Sequence, residues 1–149
     1  MQPYGPAVLR LAIGAVFVAH GAQKLFGVWG GGGLAGTAGF FTQLGLTPAY
    51  PLAILVGVVE FAGGILLILG ALTLFAALAL AINMAVAIWE VHATHGFFLP
   101  TGFEFNLTLI GGLVALMLTG PGALSVDGWR ARSAEAEAYG RARIRSGSV

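Results

Sequence analysis

Polar and ionisable side chains interrupt four otherwise apolar stretches of this sequence, and their types are those that exchange protons or hydrogen-bond small molecules. His20 and Lys24 stand four residues apart at the end of the first stretch, so a helix would place them on one face. Glu60 is the only ionisable residue of the second stretch, and the last two stretches carry acids and amides. The candidate pocket or proton-relay residues are His20, Lys24, Glu60, Asn83, Glu90, Glu104 and Asn106.

The composition is that of a membrane protein. Hydrophobic residues make up 58% of the 149 residues and charged residues only 9%, whereas about a quarter of the residues in a soluble domain are charged. So few charges cannot cover a water-facing surface. The chain has no cysteine, which excludes thiol or disulfide chemistry within it and any thiolate-held metal or iron–sulfur cluster.

The apolar stretches predict an all-α fold, an integral membrane four-helix bundle formed by residues 1–124. The predicted spans are residues 7–26, 51–69, 72–91 and 103–118. Four consecutive glycines at 30–33 break the pattern after the first span, and the segment that follows is too short to cross a bilayer. We expect it to be an interfacial or re-entrant segment between spans 1 and 2. Residues 125–149 are predicted to be a basic tail, partly helical or disordered.

The basic residues predict the orientation. Five of the seven lie between positions 130 and 145, so the positive-inside rule places the tail in the cytoplasm. Four spans then put both termini on the cytoplasmic side, and Arg10 is expected to reach the inner interface. In that threading the candidate residues share the outer half of the bundle, with Glu60 as the floor. We expect Lys24 to pair with Glu90 or Glu104, and His20 to be the neighbour of Glu60.

Two interpretations of these polar groups stay open. In one, Lys24 and His20 hydrogen-bond a quinone or a small anion while a carboxylate relays protons. In the other, the groups form a buried ion-pair network that fixes how the helices pack. His92 and His95 are candidate ligands for a metal ion because they stand three residues apart, but no metal site is predicted. No nucleic-acid partner is expected, because the basic residues are few and tethered to a membrane.

The order and spacing of these residues resemble the DoxX family of small four-helix bacterial membrane proteins. The resemblance covers residues 7–120 and rests on one short motif in each of three spans. The motifs are Arg10…His20-Gly21…Lys24-Leu25, Glu60-Phe61-Ala62-Gly63-Gly64 and Gly102-Phe103-Glu104-Phe105-Asn106-Leu107.

The resemblance implies a multi-pass protein of the bacterial cytoplasmic (inner) membrane. The family is named for a subunit of a thiosulfate:quinone oxidoreductase, so it implies an accessory or quinone-interacting subunit of a membrane oxidoreductase complex rather than an enzyme acting alone. Quinone is then the candidate ligand, and no covalently bound cofactor is expected. The bilayer, oxidoreductase subunits and further copies of this chain are the candidate partners. It assigns no residue a catalytic role. The alternative is a non-enzymatic membrane scaffold or a small-molecule permease.

Overall fold

The computed structural model describes residues 4–145, and within that range all regular secondary structure is helical, with no strand. The main helices are α1 (Tyr4–Phe26), α2 (Gly33–Gln43), α3 (Ala49–Leu69), α4 (Thr73–Ala87), α5 (Glu104–Thr119) and α6 (Val126–Arg145). A π-helix (Ile88–His92) continues α4, and short 3-10 turns follow α1 (Val28–Gly30) and the π-helix (Ala93–His95). The predicted all-α class is confirmed.

Three helical segments are long and apolar enough to cross a membrane. They are Tyr4–Phe26, Ala49–Leu69 and Thr73–His95, the last being α4 with its two extensions. The fourth apolar helix, α5, has 16 residues and is therefore about 24 Å long, somewhat shorter than a hydrocarbon core of about 30 Å. The bundle thus has three clear spanning helices and a shorter fourth. The interfacial segment predicted after the first span is α2.

Helices α1 and α3 pack closely in antiparallel directions because glycines line their contact. A Cβ atom at Gly14 would lie 2.8 Å from the carbonyl oxygen of Gly64, and one at Gly21 would overlap the backbone of Phe61. Small residues allow two backbones to approach within a membrane, where dispersion contacts replace the hydrophobic effect as the driving force. This approach fixes the height at which α1 side chains meet those of α3.

Arg10 is buried at the end of the bundle where α6 begins, which we call the tail end. The residue is 2% exposed, and its guanidinium group donates five hydrogen bonds of 2.5–3.1 Å. The acceptors are the backbone carbonyl oxygens of Leu67, Ile68, Pro121, Ala123 and Leu124. The sequence had suggested that this side chain reaches the membrane interface. In the structure it turns into the bundle instead. It joins the carboxyl end of α3 to the α5–α6 connection, where unsatisfied carbonyls carry partial negative charge.

Asp127, in the first turn of α6, caps α4. Its carboxylate accepts hydrogen bonds from the backbone N–H groups of Leu72 and Thr73 and from the Thr73 hydroxyl, at 2.8–2.9 Å. Its own N–H donates to the carbonyl oxygen of Gly70. Beyond this turn α6 is largely exposed, so it is anchored at one end. The predicted tail is helical as far as Arg145, and residues 146–149 lie outside the described part of the chain.

Replacing Arg10 with methionine is expected to lower the free energy of unfolding by at least about 2 kcal/mol, because buried carbonyl oxygens lose a charged donor. Arg10→Lys should recover only part of this loss, since one ammonium group cannot reach both sets of carbonyls. Denaturation of the purified protein in detergent measures both effects. Arg132→Met, which changes an exposed arginine of α6, should leave stability unchanged. An Arg10→Met protein as stable as the wild type would contradict the anchoring role.

Asp127 is expected to make part of the stability depend on pH. Partial burial acts to raise its pKa, but the hydrogen bonds from Thr73 and Leu72, together with the charge of Arg130, outweigh it, so the pKa lies below its ordinary value. A carboxyl group with a lowered folded-state pKa stabilises the fold above its unfolded pKa of about 3.9 and loses this effect as the pH falls through the folded value.

The stability gap between wild type and Asp127→Asn should therefore be largest near neutral pH and shrink below about pH 4. Unfolding midpoints across this range measure the gap. The exposed Glu135, changed to glutamine, serves as the control and should show little gap at any pH. A gap that stays constant between neutral pH and pH 3 would show that the Asp127 charge is not involved.

Candidate functional site

The helices separate at the end of the bundle opposite α6, which we call the cavity end, and enclose a cavity of about 670 Å³. All five helices α1–α5, the π-helix and the connection before α5 contribute to its wall. Most lining side chains are apolar or aromatic, and the volume lies within the range of small-molecule sites, about 300–1,000 Å³. Six of the seven candidate residues line it: His20, Lys24, Glu60, Asn83, Glu90 and Asn106.

A three-residue network forms the polar wall of the cavity. Glu60 is 2% exposed, and both of its carboxylate oxygens accept a hydrogen bond. Oε2 lies 2.5 Å from Lys24 Nζ, and Oε1 lies 3.0 Å from Asn83 Nδ2. The Lys24 side chain is 28% exposed, and its ammonium group donates one of its three protons in the hydrogen bond to Glu60. The network thus satisfies the buried carboxylate and leaves an ammonium group accessible from the cavity.

The direction of the side chains explains why Lys24 meets Glu60. Side chains on a helix tilt toward its amino terminus, so Lys24, near the carboxyl end of α1, reaches back into the bundle. Because α3 runs the opposite way, Glu60 tilts toward the cavity end and the two converge. Gly57 gives them room, since a Cβ there would lie 2.6 Å from a methyl carbon of Leu25. The expected pairing of Lys24 with Glu90 or Glu104 is wrong for this reason.

His20 of α1 and Asn106 of α5 also line the cavity. The His20 ring packs against Phe105 with ring centroids 6.1 Å apart and has no hydrogen-bonding partner among residues 4–145. His20 and Glu60 line the same cavity, as expected of neighbours, but no hydrogen bond joins them. Asn106 is 7% exposed, and its Nδ2 lies 3.4 Å from Met84 Sδ. His20 therefore keeps its hydrogen-bonding capacity for a ligand.

The two remaining acids occupy different positions at the cavity end. Glu90 lies in the π-helix, is exposed and lines the cavity. Glu104 does not line it. Its Oε1 accepts a hydrogen bond of 2.8 Å from the backbone N–H of Leu99 and so closes the loop that leads into α5. Glu104 is the first residue of α5. Its carboxylate therefore contacts the loop before the helix rather than the interior of the bundle.

The two loop histidines contact backbone carbonyls. His92 Nδ1 lies 2.7 Å from Thr101 O, and His95 Nδ1 lies 2.9 Å from Val91 O. His92 also lines the cavity, but His95 does not. Within residues 4–145 no group of three His, Cys, Asp or Glu side chains is placed to hold a metal ion.

Sequence reasoning missed two features of the cavity. The first is the π-helix Ile88–His92, a local widening that turns Glu90, Val91 and His92 relative to α4 and that has no sequence signature. The second is the wall made by α2, where Thr37 and Phe40 line the cavity. The sequence predicted this helix only as an interfacial or re-entrant segment between spans 1 and 2, without the residues that would line the cavity.

Comparisons with known proteins point to one family. The model of the family described as DoxX matches residues 5–93. An uncharacterized membrane protein of Mycobacterium tuberculosis is 35% identical, over 80% of this chain and 77% of its own length. Inner membrane protein YqjF of Escherichia coli is 30% identical (85% and 92%), and a Bacillus subtilis protein named "Putative oxidoreductase CatD" is 30% identical (83% and 84%). No solved structure matches this chain.

Replacing Lys24 with methionine is expected to destabilise the protein by about 3 kcal/mol, because it leaves the Glu60 carboxylate buried with Asn83 as its remaining donor. The double variant Lys24→Met, Glu60→Gln should recover most of this loss, since it removes the unpaired charge. Unfolding midpoints of the wild type, both single variants and the double variant give the coupling energy.

The exposed ion pair of Glu137 with Arg141 in α6, at 3.6 Å, supplies the control. Glu137→Gln should change stability by less than about 1 kcal/mol, as is usual for ion pairs in water. Additive effects of the Lys24 and Glu60 substitutions would mean that the two side chains do not stabilise each other.

Proposed function

This chain belongs to the DoxX family, and we propose that its cavity binds a quinone as part of a membrane oxidoreductase complex. The family match over residues 5–93 and the oxidoreductase name of one relative support the class of function. The relatives named as membrane proteins support a place in the bilayer. The substrate is proposed from the cavity itself.

The observation that carries the proposal is an apolar cavity with hydrogen-bond donors on one wall. A quinone is a flat ring with two carbonyl oxygens, so it needs apolar side chains against its faces and donors at its edges. Lys24 Nζ and His20 are accessible from the cavity, and Asn83 lies beside them. Phe40, on α2, contributes an aromatic surface to the wall. A few polar groups in a mostly apolar pocket are typical of small-molecule sites.

Lys24, Glu60 and His20 each have a distinct part in this proposal. Lys24 donates a charge-assisted hydrogen bond to a carbonyl oxygen, and such bonds are about twice as strong as neutral ones. Glu60 positions the Lys24 ammonium group through the ion pair. His20 donates to or accepts from the ligand, depending on its protonation. The chain has no cysteine, so no thiol of its own can reduce a bound quinone. In this proposal a partner subunit supplies the electrons, and the role of this chain is accessory.

The proposed setting is the bacterial inner membrane with both termini in the cytoplasm, as the arginine-rich tail favours. The cavity then opens in the outer half of the bilayer. A small-molecule permease is less well supported, because fully buried side chains close the bundle between the cavity and the tail end. Those side chains include Phe17, Leu67, Leu80 and Leu113.

Purified protein in lipid nanodiscs is expected to bind 2,3-dimethoxy-5-methyl-1,4-benzoquinone or 2-methyl-1,4-naphthoquinone saturably. Lys24→Met should weaken binding at least tenfold, because a hydrogen bond to a charged donor contributes about 1.5–3 kcal/mol and 1.4 kcal/mol is a factor of ten. Asn83→Leu tests the same wall without removing a charge. Equilibrium dialysis of the nanodiscs measures binding.

Glu135→Gln, which removes an exposed carboxylate of α6, is the matched control and should bind as the wild type does. The proposal fails if neither headgroup binds saturably. It also fails if both cavity variants, shown to be folded by their unfolding transitions, bind as tightly as the wild type.

A further inference from the structure

We infer that the cavity has a lipid-facing portal between α2 and the end of α4, through which the apolar tail of a prenylated quinone extends into the bilayer. The inference rests on the proposed function and deepens it. It assigns Phe40 and Val86 to the rim of the portal, and it makes the ligand an amphiphile taken from the membrane rather than a solute taken from water.

The first step is the divergence of α3 and α4. Near their connecting turn these helices touch, because a Cβ at Gly63 would lie only 3.1 Å from Leu80 Cγ. Closer to the cavity end, the hydrogen bond between Glu60 and Asn83 joins the two helices. Beyond this level Val56 of α3 and Val86 and Ala87 of α4 all line the cavity. The polar network therefore lies where the space between the two helices becomes part of the cavity.

The second step is that α2 and the end of α4 do not pack extensively on each other. Helix α2 packs mainly on α1 and α3, and its buried side chains Ala38 and Phe41 cluster with Ala53 of α3. The main contacts of α4 are with α3, α5 and the π-helix that follows it. Because α2 and the end of α4 both line the cavity, the portal is placed at the boundary between them.

The third step is the chemistry of the rim. Phe40 of α2 and Val86 of α4 both line the cavity, and they are 43% and 53% exposed. The outer surface of α4 below the rim is equally apolar, with Leu78 and Ile82 47% and 57% exposed. In a membrane this surface faces hydrocarbon. An opening rimmed by apolar side chains at this surface admits a hydrocarbon tail, but not a charged solute.

The two ends of the cavity thus select different parts of one ligand. The wall with Lys24, Glu60 and Asn83 accepts a polar head, and the rim with Phe40 and Val86 accepts an apolar chain. A prenylated quinone has both parts, joined by a single bond from the ring. Its head would lie beside the network while most of its tail remained in lipid, so a cavity of about 670 Å³ need not enclose the whole molecule.

The test compares one headgroup with and without a tail. The probes are 2,3-dimethoxy-5-methyl-1,4-benzoquinone and its decyl derivative, with affinity expressed per mole of quinone in the lipid of the nanodiscs. Because the tail stays in lipid both before and after binding, wild type should bind the two forms with affinities within about twofold of each other. Val86→Trp, which narrows the rim, should weaken binding of the decyl form at least tenfold and keep the headgroup affinity within about twofold. Ile82→Trp, one turn lower on α4 and outside the cavity lining, should behave as the wild type does.

A reversible closure removes any doubt about folding. Because the chain has no cysteine, the double variant Phe40→Cys, Val86→Cys can be bridged by bifunctional methanethiosulfonate linkers of graded length. The bridge should weaken binding of the decyl form at least tenfold while leaving the headgroup affinity within about twofold, and reduction of the same sample should restore binding of the decyl form. Each single-cysteine variant, treated with the same linkers, should be unaffected.

The outcomes separate this inference from the proposed function. If wild type binds the headgroup but binds the decyl form at least tenfold more weakly, the portal is overturned and the quinone site stands. The portal is also overturned if Val86→Trp and the bridge leave the affinity for the decyl form unchanged, or if both weaken the headgroup as much as the decyl form. If wild type binds neither probe, the quinone site itself falls and the portal with it.

Discussion

The buried carboxylate of Glu60 is the constraint on which the cavity end depends. An ionised group inside an apolar bundle requires partners, because hydrocarbon offers none. Lys24 from α1 and Asn83 from α4 supply them, one on each oxygen. A single side chain of α3 therefore ties three helices together at one height. Above that height the helices are free to separate, and the cavity occupies the space that results.

The tail end follows the same rule with the signs reversed. There the buried group is the Arg10 guanidinium, and its partners are backbone carbonyls of the α3 terminus and of the α5–α6 connection. Asp127 adds the complementary charge at the start of α4. Between the two polar ends lies a core of apolar side chains, with Leu67, Leu80 and Leu113 fully buried. Each end of the bundle is thus fixed by one buried charge.

Glycine makes both arrangements possible. Close contact of α1 with α3 needs Gly14, Gly21 and Gly64, and Lys24 reaches Glu60 partly because Gly57 leaves room for the neighbouring Leu25. Of these four glycines, Gly21 and Gly64 lie in the motifs by which the chain resembles its family. Packing and chemistry therefore depend on the same short segments. The cavity is a consequence of how closely two helices approach at one end and how widely two others separate at the opposite end.

The sequence by itself determined the all-α membrane class, the approximate helices, the short segment that became α2, and most of the polar side chains that line the cavity. These follow from hydropathy and from residue types that are unstable in hydrocarbon, which are local properties of the chain. The partners were not determined. Lys24 meets Glu60 rather than Glu90 or Glu104, Glu104 closes a loop, and Arg10 turns inward. The tertiary structure decided these contacts. They depend on the relative height and direction of antiparallel helices, on close approach at glycines and on a π-helix. The spacing of residues along the sequence encodes none of these.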